Sequence, residues 1–200
     1  MRDALPYTPA GMRVGLLGGS FDPPHAGHLH ITREALRRFR LDRVWWLVSP
    51  GNPLKDHGPA SLERRLQACR ALADDRRIHV TDIEARLGTR HTAATLARLL
   101  PRHPGVRFVW LMGADNLAQF HRWQNWRAIM QMLPLGVLGR PDNMLHAGLS
   151  PAARSYAHFR LPEYAATALA VEKTPAWCLV SGPMVDISST AIRNSGNWVR

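Results

Sequence analysis

Six short apolar runs punctuate the chain, and amphipathic stretches separate them. The first, Arg13 to Leu17, ends in Gly18 and Gly19; from about Gly27 a helical pattern puts Leu29, Thr32, Leu36 and Phe39 on one face. The run Val44 to Val48 is apolar throughout, the pattern of a strand buried on both faces of a parallel sheet. A proline- and glycine-rich loop from Ser49 to Ala60 follows, and then a helix from Leu62 to Ala73 with Leu62, Leu66, Cys69 and Leu72 at helical spacing. Ile78 to Thr81 reads as a short strand, Ala93 to Leu100 as a helix stopped by Pro101, and Phe108 to Met112 as another fully apolar strand. Gly113-Ala114-Asp115 and a tryptophan-rich helical region come next. Leu135 to Leu138 and Trp177 to Val180 complete the strands, and a turn and helix close the chain at SSTAIR. Residues 142–176 read as irregular, with a weak helix near Ala165 to Val171. Strands alternating with helices predict an α/β fold: a doubly wound, Rossmann-like, mostly parallel sheet with helices on both faces and ligands at the carboxyl ends of its strands.

With 200 residues, the chain suits one domain, expected over residues 12–200 behind a short N-terminal extension at residues 1–11. Hydrophobic residues at 46% against 20% charged exclude a disordered chain. The net charge of +11 raises the question of nucleic acid. Lysine occurs only at Lys55 and Lys173, however, and the arginines are scattered without a basic run, so the charge suits small phosphorylated ligands and no nucleic-acid partner is expected. Cys69 and Cys178 are far apart and form no CxxC pair, which predicts buried thiols in a reducing compartment. Met1 to Gly11 carries Pro6 and Pro9 and lacks the apolar core of a signal peptide, and no stretch approaches the roughly 18 apolar residues of a membrane span. A cytoplasmic protein with no membrane partner is expected. The number of subunits stays open.

The informative stretch is Gly18-Gly19-Ser20-Phe21-Asp22-Pro23-Pro24-His25-Ala26-Gly27-His28-Leu29, where the first strand feeds the first helix. Glycines let backbone approach a phosphate, and a helix N-terminus presents unpaired N–H groups, so an anion site is expected there. His25 and His28, three apart, share a face. Neither the Walker loop nor the GxGxxG fingerprint fits this spacing. Zinc could use His25, His28 and His30, but His30 turns away on a helix and no acidic or cysteine ligand stands beside them. A plain helix cap is the alternative for an isolated histidine pair, and the surrounding glycines and prolines weaken it.

GSFDPPHAGHL closely resembles the signature of the HxGH nucleotidyltransferase superfamily, and Ile187-Ser188-Ser189-Thr190-Ala191-Ile192-Arg193 resembles its second signature. Gly113-Ala114-Asp115 followed by Phe120, Trp123 and Trp126, with His91-Thr92, Thr95-Leu96 and Arg140-Pro141, resembles the nicotinate mononucleotide adenylyltransferase family over about residues 12 to 193. The resemblance implies that Gly18, Gly19, Ser20, Phe21, His25, His28, Gly113, Asp115, Ile187, Ser188, Ser189, Thr190 and Arg193 bind ATP. It implies an acceptor mononucleotide site of Asp22, Lys55, Thr92, Asp115, Trp123, Gln124 and Arg140, with Trp123 stacking the pyridine ring and backbone N–H groups near Thr92 and Gln124 holding its carboxylate. It further implies charge stabilisation by His25, His28, Lys55 and Arg193, and Mg²⁺ held mainly by the ATP phosphates. The residue types suit these roles: a carboxylate accepts from ribose hydroxyls, an arginine fork binds phosphate, and an aromatic face stacks a base. Two departures stand out, His91 where the family has an aromatic residue and an end at Arg200, short of the family's closing helix.

The expected reaction is transfer of AMP from ATP to nicotinate mononucleotide, giving deamido-NAD and pyrophosphate in NAD biosynthesis. Within the class, nicotinamide mononucleotide and pantetheine phosphate are the alternative acceptors; threonine usually replaces the first histidine in the pantetheine enzyme. A synthetase fragment would need a KMSKS-like lysine pair, which is absent. A non-catalytic RNA-binding domain using arginines and tryptophans is the alternative from another class.

Overall fold

A computed structural model of the protein describes residues 6–51, 58–139, 141–182, 188–196 and 198. Its elements in chain order are β1 (Arg13–Gly19), α1 (Ala26–Arg38), β2 (Arg43–Val48), α2 (Leu62–Leu72), β3 (Ile78–Thr81), α3 (Ile83–Arg86) and α4 (Thr92–Leu99). Then come β4 (Arg107–Gly113), α5 (Ala114–Gln119), α6 (Trp126–Met132), β5 (Leu135–Gly139), α7 (Pro141–Gly148), α8 (Pro151–Ser155), β6 (Arg160–Leu161), β7 (Trp177–Ser181) and α9 (Ser189–Asn194). The seven strands pair in the order β3-β2-β1-β4-β5-β7-β6, every pairing parallel, with Arg13 opposite Arg107 at the central β1–β4 seam. The chain winds outward from β1 in one direction and from β4 in the other. The crevice between their carboxyl ends is therefore the topological switch point, where open α/β sheets bind ligands.

Alternation along β2 shows how the two cores arise. Val44, Trp46 and Val48 join Leu29, Leu36 and Phe39 under α1 and α2, while Trp45 and Leu47 join Ile83, Leu96 and Phe120 under α3 to α6. A parallel strand sealed on both faces has nowhere to expose a polar residue, which explains the uninterrupted apolar runs. Trp46 keeps its indole N–H satisfied by donating to Thr32 Oγ1 at 2.7 Å, and the Thr32 hydroxyl donates to the His28 carbonyl at 2.8 Å.

Residues 142–176, expected to be irregular, instead hold α7, α8, the two-residue β6 and a 3-10 turn at Glu163–Val171, which lies where the weak helix was expected. Their shortness hid them from the periodicity, although Ser150 capping the Ala153 N–H at 3.3 Å ahead of Pro151 is a start signal present in the sequence. Cys69 and Cys178 are buried free thiols as expected, pushed up to about 12 and about 11 by burial, which keeps them inert. Among the described residues no helix is long and apolar enough to cross a membrane.

Candidate active site

The loops after β1, β2 and β4 surround a cleft of about 840 Å³ at the switch point. Its entrance begins with a backbone constraint. Phe21, buried at 1% exposure, sits at φ 48°, a left-handed conformation unusual for an aromatic residue. That turn tucks the Phe21 ring beneath the first helix, 4.6 Å from His28 and stacked 5.2 Å from Trp46. Gly18 is required just before it, because a Cβ there would lie 2.6 Å from the Trp110 ring.

The two histidines cap α1 reciprocally. His25 Nδ1 accepts from the Gly27 N–H at 3.1 Å, and His28 Nδ1 accepts from the His25 N–H at 3.2 Å. Both Nδ1 atoms are therefore acceptors, which leaves each neutral ring its N–H at Nε2. Burial lowers the His25 pKa, and burial together with the neighbouring His25 lowers that of His28 to about 3. The pair offers two oriented neutral donors beside a helix N-terminus, with ring centroids 4.0 Å apart, which suits a row of phosphate oxygens.

Asp115 opens α5 directly beyond β4. Gly113 makes room for its carboxylate, since a Cβ at Gly113 would fall 2.4 Å from Asp115 Oδ1. Trp123 is half-buried, edge-on to Trp110 and Phe120 at 6.2 and 5.3 Å, and borders the cleft with Gln124. Trp126 lies in the core at 8% exposure against Phe120 and Tyr156.

Most of the residues singled out in the sequence meet here: Gly18, Gly19, Ser20, Phe21, Asp22, His25, His28, Thr92, Gly113, Asp115, Trp123, Gln124, Ser188 and Ser189 all line the cleft. Lys55, Arg140 and Ile187 lie outside the described residues. Thr190 and Arg193 stand beside the cleft. The Arg193 guanidinium donates to the Asp22 carbonyl and, at 3.0 Å, to Thr190 Oγ1, while the Ser189 hydroxyl donates to the Pro23 carbonyl at 2.9 Å. Asp22 is itself buried, its carboxylate accepting from the Ala60 N–H at 3.2 Å and the Trp198 indole at 2.7 Å. These contacts make Arg193 and Asp22 a clasp that fixes α9 against the β1 loop. Arg193→Lys is expected to raise the KM for ATP by about tenfold with a smaller change in kcat, because one ammonium cannot hold two acceptors in a fork; steady-state kinetics at varied ATP would check it, and an unchanged KM would leave the clasp without influence on the nucleotide.

Two further residues carried no usable signal in the sequence. Arg65, inside an ordinary amphipathic helix, is 0% exposed, and its guanidinium donates to the carbonyls of Ser20, Ser49 and Ala60 at 2.7, 2.6 and 2.7 Å. It thereby ties together the loops after β1 and β2. Glu84, on the short α3, is buried at 5% exposure and borders the cleft.

A parallel sheet whose glycine turn and oriented histidine pair face a shared cleft defines a nucleotidyltransferase, and the model of the cytidylyltransferase-like family matches residues 16–195. A probable nicotinate-nucleotide adenylyltransferase of Ruegeria pomeroyi is 60% identical over 99% of this chain and 93% of its own; one of Cereibacter sphaeroides is 65% identical over 94% of this chain and 99% of its own. The chain belongs to the nicotinate-nucleotide adenylyltransferase family. Among solved structures it resembles the nicotinic acid mononucleotide adenylyltransferase of Plasmodium falciparum complexed with NaAD, at a TM-score of 0.67 and 17% identity over 92% of this chain and 83% of that one, a likeness of fold.

Proposed function

We infer that the protein is an adenylyltransferase that moves AMP from ATP to the 5′-phosphate of nicotinate mononucleotide, yielding nicotinate adenine dinucleotide and pyrophosphate. The observation that carries this reading is the pairing of two neutral, Nε2-protonated histidines with Asp115 and Trp123 in a single cleft. One side suits a triphosphate; the other suits a ribose and a flat ring. The names of the close relatives support the same acceptor.

The chemistry asks little covalent work of the protein. An oxygen of the acceptor phosphate, already anionic, attacks the α-phosphorus in line; the bond from that phosphorus to the β-phosphate bridging oxygen breaks, and pyrophosphate carries the electron pair away. Catalysis then rests on holding two anions at bonding distance, worth up to roughly 7 to 11 kcal/mol, and on donors aimed at the leaving charge. His25 and His28 supply such donors, Ser188 and Ser189 flank the same cleft, Lys55 is the cation that the family resemblance sets on a substrate phosphate, and Arg140 is a residue it gives to the mononucleotide site. The family resemblance implies Mg²⁺, an ion that is usually held chiefly by substrate phosphate oxygens and water. When bound, Mg²⁺ supplies charge neutralisation along the triphosphate.

The test is pyrophosphate release with MgATP and each pyridine mononucleotide. Nicotinate mononucleotide is expected to be preferred by at least about tenfold in kcat/KM, since preorganised N–H donors favour a carboxylate over an amide. Trp123→Ala should weaken both acceptors alike and leave the KM for ATP nearly unchanged, because stacking is indifferent to the ring substituent. Equal use of the two acceptors by the wild type would overturn the carboxylate assignment, and normal acceptor KM values in Trp123→Ala would return that indole to a packing role.

A further inference from the structure

Among the described residues, Glu84 is a buried carboxyl of the cleft that has no part in the reaction described above and, unlike Asp22, none in the clasp that holds α9. Its neighbours are spoken for: Asp82 pairs with Arg86 at 2.6 Å, and the main-chain carbonyl of Glu84 accepts from the Thr89 N–H at 2.9 Å and its hydroxyl at 3.3 Å. Those two bonds hold the turn that delivers Thr92 to the start of α4, so Glu84 and Thr92 belong to one wall of the cleft. Ile83 packs in the same core as Phe120 and Trp126, and Trp123 packs against it, which puts the Trp123 indole on that side of the sheet. The Glu84 carboxyl is different. Burial alone pushes its pKa up to about 7, with no donor or cation offsetting it among the described residues. Its oxygens are not among the fully enclosed atoms left without a partner, so they open onto the cleft, where a ligand group can take the place of water.

On the acceptor assignment made above, we propose that Glu84 is a specificity-determining residue: its carboxyl group donates a hydrogen bond to the pyridine carboxylate of nicotinate mononucleotide and, once ionised, favours an amide in that place. The proton is shared between two carboxyl groups, so nicotinate is read best while Glu84 retains it. Deprotonation sets like charges against each other, whereas the amide NH₂ of nicotinamide can donate to the ionised form. The other ionisable groups bordering the cleft are Arg90 and His91 ahead of α4, Asp115 on α5, Arg122 ahead of Trp123, and Asp22, His25 and His28 on the β1 side. The face of β2 against α3 is apolar, with Trp45 and Leu47.

A ratio isolates the effect. Both mononucleotides carry the same ribose and phosphate, so dividing kcat/KM for nicotinate by kcat/KM for nicotinamide cancels most of the pH dependence due to the acceptor phosphate, to ATP and to the histidines. Measured in the wild type from about pH 6 to pH 8.5, the ratio is expected to fall by about tenfold or more as Glu84 ionises. In Glu84→Gln it should be nearly flat across this range, because the glutamine amide does not ionise. A second readout needs no turnover. A carboxyl whose folded pKa is raised from 4.5 to about 7 makes the fold lose stability as pH rises from the lower value to the higher, so the wild-type Tm should fall across that window relative to Glu84→Gln. A flat ratio in the wild type, or the wild-type slope persisting in Glu84→Gln, overturns the role of Glu84 alone. No pyrophosphate release with nicotinate mononucleotide at any pH overturns the acceptor assignment and this role with it.

Discussion

His28→Ala is expected to lower kcat by about 100-fold or more, the usual loss when one preorganised donor to a developing oxyanion is removed. Two effects combine in this variant. The Nε2–H is lost from the cleft, and so is the Nδ1 that accepts the His25 N–H at 3.2 Å, which sets the entry of α1 and with it the aim of His25. Because the ring is neutral in the folded protein, its contribution is a directed dipole rather than a charge. Activity carried by that dipole should therefore hold steady from pH 6 to pH 8, where an imidazolium-dependent enzyme would fade. Single-turnover measurements, with thermal unfolding to confirm that the variant is folded, separate the chemical step from product release. A chemical step within about threefold of the wild type would confine both histidines to capping.

Arg65→Leu should lower Tm by about 6 to 12 °C, corresponding to a loss of roughly 3 kcal/mol in a chain of this size. The substitution removes the donor to four main-chain carbonyls, those of Ser20, Ser49, Pro50 and Ala60, in a fully buried position, and a stranded buried acceptor costs about 1 to 3 kcal/mol. Part of that loss is returned because leucine carries no charge to desolvate, and burial already lowers the Arg65 pKa. Turnover should fall as well, since the loops that Arg65 joins bear Ser20 on one side of the cleft and Ser49 on the other. Calorimetry reads the first effect and pyrophosphate release the second. A Tm within about 2 °C of the wild type would mean that the carbonyls find other donors.

The contrast between His28 and Arg65 shows what a sequence can convey here. The strands were legible because burial on both faces removes polar residues from a continuous run, as in Val44 to Val48. The HAGH turn was legible because capping, glycine turns and helix N-termini are local: His25, Gly27 and His28 lie within one turn of one another. Arg65 and Glu84 act through tertiary position. In LERRLQACR nothing distinguishes Arg65 from the exposed Arg64 beside it, and its carbonyl partners come from segments up to 45 residues away. Glu84 resembles any acidic residue of a short surface turn until α3 packs against β2 at the border of the cleft. Arg193 lies between the two cases: its residue type suggested direct phosphate binding, and the structure engages its guanidinium with the Asp22 carbonyl.

The β1–β4 seam also bears on how the protein is made. β1 with α1 carries the histidine pair, β4 with α5 carries Asp115, and neither stretch contains a cleft until Arg13 and Arg107 are brought opposite one another. At roughly 5 to 20 residues per second on the ribosome, the interval of about ninety residues between them lasts several seconds. During that time Val14, Leu16 and Leu17 present an unpaired apolar strand edge, a template for pairing with the wrong chain. The topology that creates the binding crevice thus also creates the chief hazard of synthesis, and chaperone dependence in vivo should track the delay before β4 emerges.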